Sequence, residues 1–224
     1  MMRLILLLLL LCPAMFVNGQ SKVIQAKRYY PEDAAEFTKK TSHSYNELGG
    51  YEAAKFGETT MIIRAVTNYG TFYFVFKKKN KDNDEPINRN LYAFILVEDH
   101  AGVLEKVRFQ DFGNPLYWPA FDYDNCLVED ADQDGIPEFY LSYMGESDGL
   151  DAKPYKQIVY FFGSAVPKAG VVKAKATAYY PAGNEEDVYT VAFDSAWQSM
   201  APAVKERSKA ILNAHKKAYG ETFF

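Results

Sequence analysis

The chain has 224 residues, a formal net charge of −4 from 25 Lys and Arg against 29 Asp and Glu, and 16 % aromatic residues. Its lysines and aspartates are interleaved along an acidic chain, which excludes a broad basic surface for nucleic acid. Its length suits one sizeable hydrophobic core, so a single domain is expected.

Residues 1–19 have the three parts of a secretory signal. Met1-Met2-Arg3 is a short positive start, Leu4 to Leu11 an apolar stretch, and Val17-Asn18-Gly19 a small-residue cleavage site before Gln20. The apolar stretch is far shorter than the ~20 residues of a membrane-spanning helix. No later segment comes close, so the reading is export to the periplasm or cell surface, with no transmembrane span in the mature chain. Leu10-Leu11 lacks the small residue a lipidation signal needs before Cys12, so Cys12 is expected to leave with the signal. Cys126 is then the one cysteine, no internal disulfide can form, and rigidity must come from the core or from a metal. Loss of Arg3 takes the net charge to about −5.

From Gln20 onward the patterning predicts a single mainly β (α+β) domain, residues 20–224. About eight antiparallel strands are expected, with a C-terminal helix over 194–219. Val23 to Tyr30 reads as a first strand, and Pro31 to Phe37 as a short helix with proline in its first turn. Thr41 to Gly57 is Gly-rich and reads as a loop or weak helix. Thr59–Val66 and Thr71–Phe76 form a hairpin about Asn68-Tyr69-Gly70. Lys77 to Asn90 is highly charged, carries Pro86, and reads as a long exposed loop. Leu91–Val97 and Val103–Phe109 form a second hairpin about Asp99–Gly102. Lys156–Phe162 and Val171–Tyr180 are strands, the latter half-exposed because Lys alternates with apolar residues. Trp197, Met200, Val204, Ile211, Leu212 and His215 or Tyr219 share one helical face, and Gly220 is the expected stop.

The most specific motif is Asp130-Ala-Asp132-Gln-Asp134-Gly135-Ile136-Pro-Glu138. Three carboxylates alternate, Gly135 allows a sharp turn with φ > 0, the Ile136 carbonyl turns inward, and Glu138 closes the ring. Such an all-oxygen cage suits calcium, whereas magnesium prefers near-ideal octahedral geometry and retained waters. An EF-hand would close at its twelfth position, which is Leu141 and cannot ligate. Closure at the ninth position, between the strand-like Cys126-Leu-Val and Phe139–Tyr143, resembles the calcium loops of integrin-type FG-GAP and VCBS repeats. The loop occurs once, so the repeat architecture of a propeller is not expected. The bland alternative is an ion-free acidic turn.

Downstream, Asp148-Gly-Leu-Asp151-Ala-Lys-Pro154-Tyr-Lys156-Gln-Ile-Val-Tyr160 gives an acidic turn, a proline, then a strand. With the loop, this stretch is similar to exported single-domain proteins of Gram-negative bacteria labelled surface polysaccharide biosynthesis proteins. The resemblance spans about residues 120 to 163 and implies an envelope or surface-glycan role, with no reaction and no catalytic residue. A nucleotide-sugar enzyme would need an α/β sheet that this strand order does not suggest.

Two functional readings follow. One is a non-enzymatic calcium-stabilised module that binds a glycan or an envelope protein through Tyr117, Trp118, Tyr123 or Tyr143, although most such aromatics serve the core or the sheet ladder. The other is a hydrolase of envelope glycans using a carboxylate pair from Asp122, Asp124, Glu146 and Asp151. Cys126 reads as a small buried hydrophobe, and His43, His100 and His215 as ordinary surface or half-buried histidines.

Overall fold

A computed structural model describes residues 24–80, 89–100, 102–147, 151–163, 170–181 and 188–223. The expected signal, with Cys12, and Asp148 of the acidic turn lie outside these residues. Alternating apolar residues build two antiparallel sheets. The first runs in the order β1 (Gln25–Tyr29), β2 (Glu58–Thr67), β3 (Gly70–Asn80), β4 (Arg89–Asp99) and β5 (Gly102–Phe112). The second runs β11 (Thr190–Phe193), β10 (Val171–Tyr180), β9 (Lys153–Phe162), β8 (Glu138–Glu146), with β6 (Trp118–Phe121) and β7 (Leu127–Glu129) both pairing with β8. The mainly β architecture with a C-terminal helix is as expected. The strands among the described residues number eleven, not about eight, and β6, β7 and β11 have only three or four residues each. β6 and β11 carry too few alternations to register as a period, whereas β7 falls on the strand-like Cys126-Leu-Val stretch expected before the acidic loop.

Period-2 alternation sends the side chains of the central strands into two different cores. Phe72, Phe74 and Phe76 of β3 face inward and meet Phe139, Leu141, Ile158 and Tyr160 of the second sheet. Their neighbours Tyr73 and Val75 face outward, where Phe37, Tyr45, Leu48, Tyr51 and Phe56 cover them. That cover comes from α1 (Ala34–Thr41), α2 (Ala53–Phe56) and the turns between, and the Tyr51 ring stacks on Phe94 at 3.8 Å. On the far side, Ala174, Ala176 and Ala178 of β10 present a smooth outer surface. Trp197, Met200, Val204, Ile211 and Leu212 pack there, the last three from α3 (Pro202–Phe223). The result is four layers, helix–sheet–sheet–helix, with burial of each large side chain contributing roughly 1.5–3 kcal/mol. No helix among the described residues is long and apolar enough to cross a membrane.

Two expectations are corrected. The helix over 194–219 is two pieces: a 3-10 turn over Ser195–Ser199, then α3 from Pro202. Proline lacks an N–H and clashes with the preceding turn, so it starts a helix but does not continue one. At the other end α3 runs through Gly220 to Phe223. The exposed loop over 77–90 is also too long, since β3 reaches Asn80 and β4 starts at Arg89. Lys77 continues the outward alternation and is fully buried under the 41–57 segment. Its ammonium donates to the carbonyls of Asn46 (2.7 Å) and Gly57 (3.4 Å), and burial pushes it down to about 8.

Candidate metal centre

β7 ends at Glu129, β8 begins at Glu138, and the two residues face each other across the ladder. The acidic loop therefore closes a very tight connection. It turns on two left-handed residues, Gln133 (φ 61°) and the expected Gly135 (φ 89°). The carboxylates organise the backbone from inside. Asp130 Oδ2 accepts from the Gly135 N–H at 2.8 Å, Asp134 Oδ1 from Ile136 at 2.7 Å, and Asp132 Oδ1 from Asp134 at 3.3 Å. Glu138 Oε2 reaches back to the Ala131 N–H at 2.8 Å.

The same turn brings the four carboxylates together. Asp130, Asp132, Asp134 and Glu138 each offer a carboxylate oxygen, and the four atoms lie within 4.8 Å of one another. Such a group can hold a metal ion. Glu138 is only 4 % exposed. Burial, and after it the charges of Asp132, Asp130 and Asp134, push its carboxyl up to about 8. Burial and the Asp134 charge raise Asp132 as well. Asp130 Oδ1 is buried with no hydrogen-bond partner. A buried carboxylate oxygen without a donor is costly unless a cation completes it, so the donor set fits a metal. The loop's shoulders are anchored by packing: Leu127 and Ala131 lie against the core beneath α3.

The remaining candidates disperse. Tyr143 is buried in the inner core, and Tyr123 packs against that core's edge. The Tyr117 hydroxyl donates to Asp111 at 3.0 Å and accepts from Lys156 at 3.0 Å, and Trp118 is half-buried on β6 opposite Glu146. Asp122 Oδ2 is occupied by Asn125 (2.7 Å) and by the Tyr155 hydroxyl (2.8 Å), while Asp124 lies on the 3-10 turn before β7 and Asp151 just before β9. The Cys126 thiol is buried and donates to the Ser142 carbonyl at 3.4 Å; burial raises its pKa. His43 approaches Glu98 at 3.5 Å and His100 approaches Asp99 at 2.7 Å.

Sequence reasoning missed the setting of His215. Its ring stacks on Tyr155 at 3.5 Å between centroids, and its Nδ1 lies 2.8 Å from the Tyr180 hydroxyl. Only the position of His215 on the buried face of the helix hinted at this.

Comparison of the chain with protein-family models, with curated proteins and with solved structures found no match.

Proposed function

We propose that this chain is an exported binding module of the cell envelope, braced by calcium and without a reaction of its own. The observation that carries the metal half is the orphaned Asp130 Oδ1, buried within a convergent set of four carboxylates. Calcium is the preferred ion on chemical grounds. Every donor is a hard oxygen, with none of the thiolate or imidazole ligands that zinc and copper favour. Calcium accepts six to eight oxygens at flexible geometry, so the carboxylates, the Ile136 carbonyl and water would suffice, whereas magnesium demands a stricter octahedron.

The reading as a brace is supported by the loop's place between two strand ends, where an ion offsets the charge repulsion and pins β7 to β8. Export is supported by the Arg3, Leu4–Leu11 and Val17–Gly19 pattern, and the link to surface polysaccharide by the resemblance over residues 120 to 163. The hydrolase reading has less support, because Asp122 is already committed to Asn125 and Tyr155.

The test is thermal melting of the chain from Gln20 in calcium and in chelator. Calcium at about a hundred times its dissociation constant should stabilise by ~2.7 kcal/mol, raising the melting temperature by several degrees. Asp130→Asn and Glu138→Gln should each abolish that rise. Glu138→Gln should also melt at or above the native temperature in chelator, because it removes a buried acid from a like-charged cluster. No shift at millimolar calcium would sink the cage, and an equal shift with magnesium would sink the choice of ion.

A further inference from the structure

Both sheets are five strands wide, because β6 and β7 share one edge of β8, and the β10–β11 side of the second sheet is chemically distinctive. Ala174, Ala176, Ala178 and Tyr180 of β10 face α3, so Lys173, Lys175, Thr177 and Tyr179 lie on the opposite face. That face should meet the first sheet, yet of β10's apolar residues only Val171 packs against the inner core. Lys173, Lys175 and Tyr179 are exposed, as are Thr190 and Ala192 of β11. Tyr179 is 40 % exposed in a chain whose other tyrosines are mostly buried or half-buried. Lys156 of β9 stands beside Thr177 in register and continues the row.

The positive charge here is compensated at a distance more than by close pairing. Lys156 is satisfied by Asp111 at 3.3 Å and lies over the Tyr117 and Tyr143 rings. Lys173 and Lys175 have no carboxylate within 4 Å among the described residues. Asp194 and Asp111 act on Lys173 through space, and the Asp194 oxygens accept from the backbone N–H groups of Lys175 and Trp197, at 3.0 Å each. Among the described residues, an acidic protein thus carries two ammonium groups outside any ion pair and an exposed ring on one sheet face, with the buried Thr177 between Lys175 and Tyr179.

We propose that this face of β9, β10 and β11 binds an acidic polysaccharide, with Lys173 and Lys175 pairing to its carboxylates and the Tyr179 ring lying against a sugar. The proposal rests on the binding-module half of the proposed function and not on the ion. Charge complementarity selects the occupant. A nucleic acid presents a far denser line of charge, which the net negative chain would repel, and the face has no arginine for bidentate phosphate contacts. Membrane recruitment by anionic lipid calls for a cluster of about four to eight basic residues, and two free lysines fall short. A polyuronate, with one carboxylate every sugar or two and broad apolar ring faces, matches both the sparse lysines and the tyrosine.

The experiment measures binding of the chain from Gln20 to hyaluronate by calorimetry in low salt with chelator present. Dextran, a single-stranded oligonucleotide and phosphatidylglycerol–phosphatidylcholine vesicles serve as comparisons. Hyaluronate should bind and weaken with added salt, while dextran should bind far less. Lys173→Glu with Lys175→Glu should weaken hyaluronate by at least about tenfold, and Tyr179→Ala should weaken it with the salt dependence unchanged. The milder Lys173→Gln with Lys175→Gln covers a failure of the charge reversal to fold, and should weaken binding in the same direction. Absence of hyaluronate binding, equal binding by a folded double variant, or preference for oligonucleotide or vesicles overturns the proposal. Because the measurement is made in chelator, failure of the calcium brace is read separately, in the melting experiment.

Discussion

Arg207 of α3 donates from Nε to a Glu129 carboxylate oxygen at 2.5 Å, across 78 residues of sequence, and Glu129 is the residue immediately before the acidic loop. The loop is therefore tied twice: to β8 through Glu138, and to α3 through Glu129. Tyr140 is fully buried close by, its hydroxyl without a partner and its pKa raised by burial and by Glu138 and Glu129.

Arg207→Ala should loosen the α3 end of this arrangement. Both side chains are partly exposed, at 41 % and 32 %, so solvent screening limits the loss to roughly 0.5–1 kcal/mol. That is a fall of about 1–4 °C in melting temperature by scanning fluorimetry, smaller at high salt than at low. A melt unchanged at low salt would show that the pair contributes nothing.

His215 should make stability fall on acidification. Burial lowers its pKa from 6.5, and the Asp122 charge opposes that only in part. The groups that face it are Tyr155 of β9, Tyr180 of β10 and Tyr219 of its own helix, none of them anionic near neutrality. The folded pKa lies below the unfolded one, so the unfolded chain takes up a proton first as pH drops below about 6.5. Stability is then lost progressively through that window. Glu138, raised to about 8, tilts stability the other way in the same window, so the readout is a difference. In chemical denaturation across pH 5–8, His215→Phe should lose less stability on acidification than the native chain, and an identical slope in both rejects the assignment.

Gly57→Ala should be among the most damaging single-methyl changes in the chain. Gly57 has φ 78°, and a Cβ there would sit 2.1 Å from the Lys78 carbonyl oxygen. Its own carbonyl accepts from the buried Lys77 ammonium. Left-handed strain alone costs about 1–3 kcal/mol, and the backbone clash adds to it. Denaturant unfolding should register a loss above ~2 kcal/mol, whereas Gly50→Ala, with open space around its added Cβ, should cost less.

What the sequence revealed was local. The acidic loop was legible because all its carboxylates fall within nine consecutive residues, so their convergence needs no knowledge of the rest of the chain. The buried face of α3 was legible because Val204, Ile211 and Leu212 repeat at helical spacing. Long-range matters were not. Lys77 looked like the start of a charged loop, because the cover that buries it comes from residues about twenty to thirty positions away. Tyr143 and Tyr179 look alike in sequence, yet one lies under the first sheet and the other beyond its reach. How far one sheet overlaps another is set by the stacking of whole layers, which no single strand records.

The buried thiol of Cys126 has a practical consequence. In a chain that starts at Gln20 it is the sole cysteine, and it sits between the two sheets, fully buried and bonded to the backbone of Ser142. A thiol-specific reagent can reach it only when the layers part. The rate of its modification is therefore a built-in clock for opening of the sandwich, readable without introducing a second cysteine.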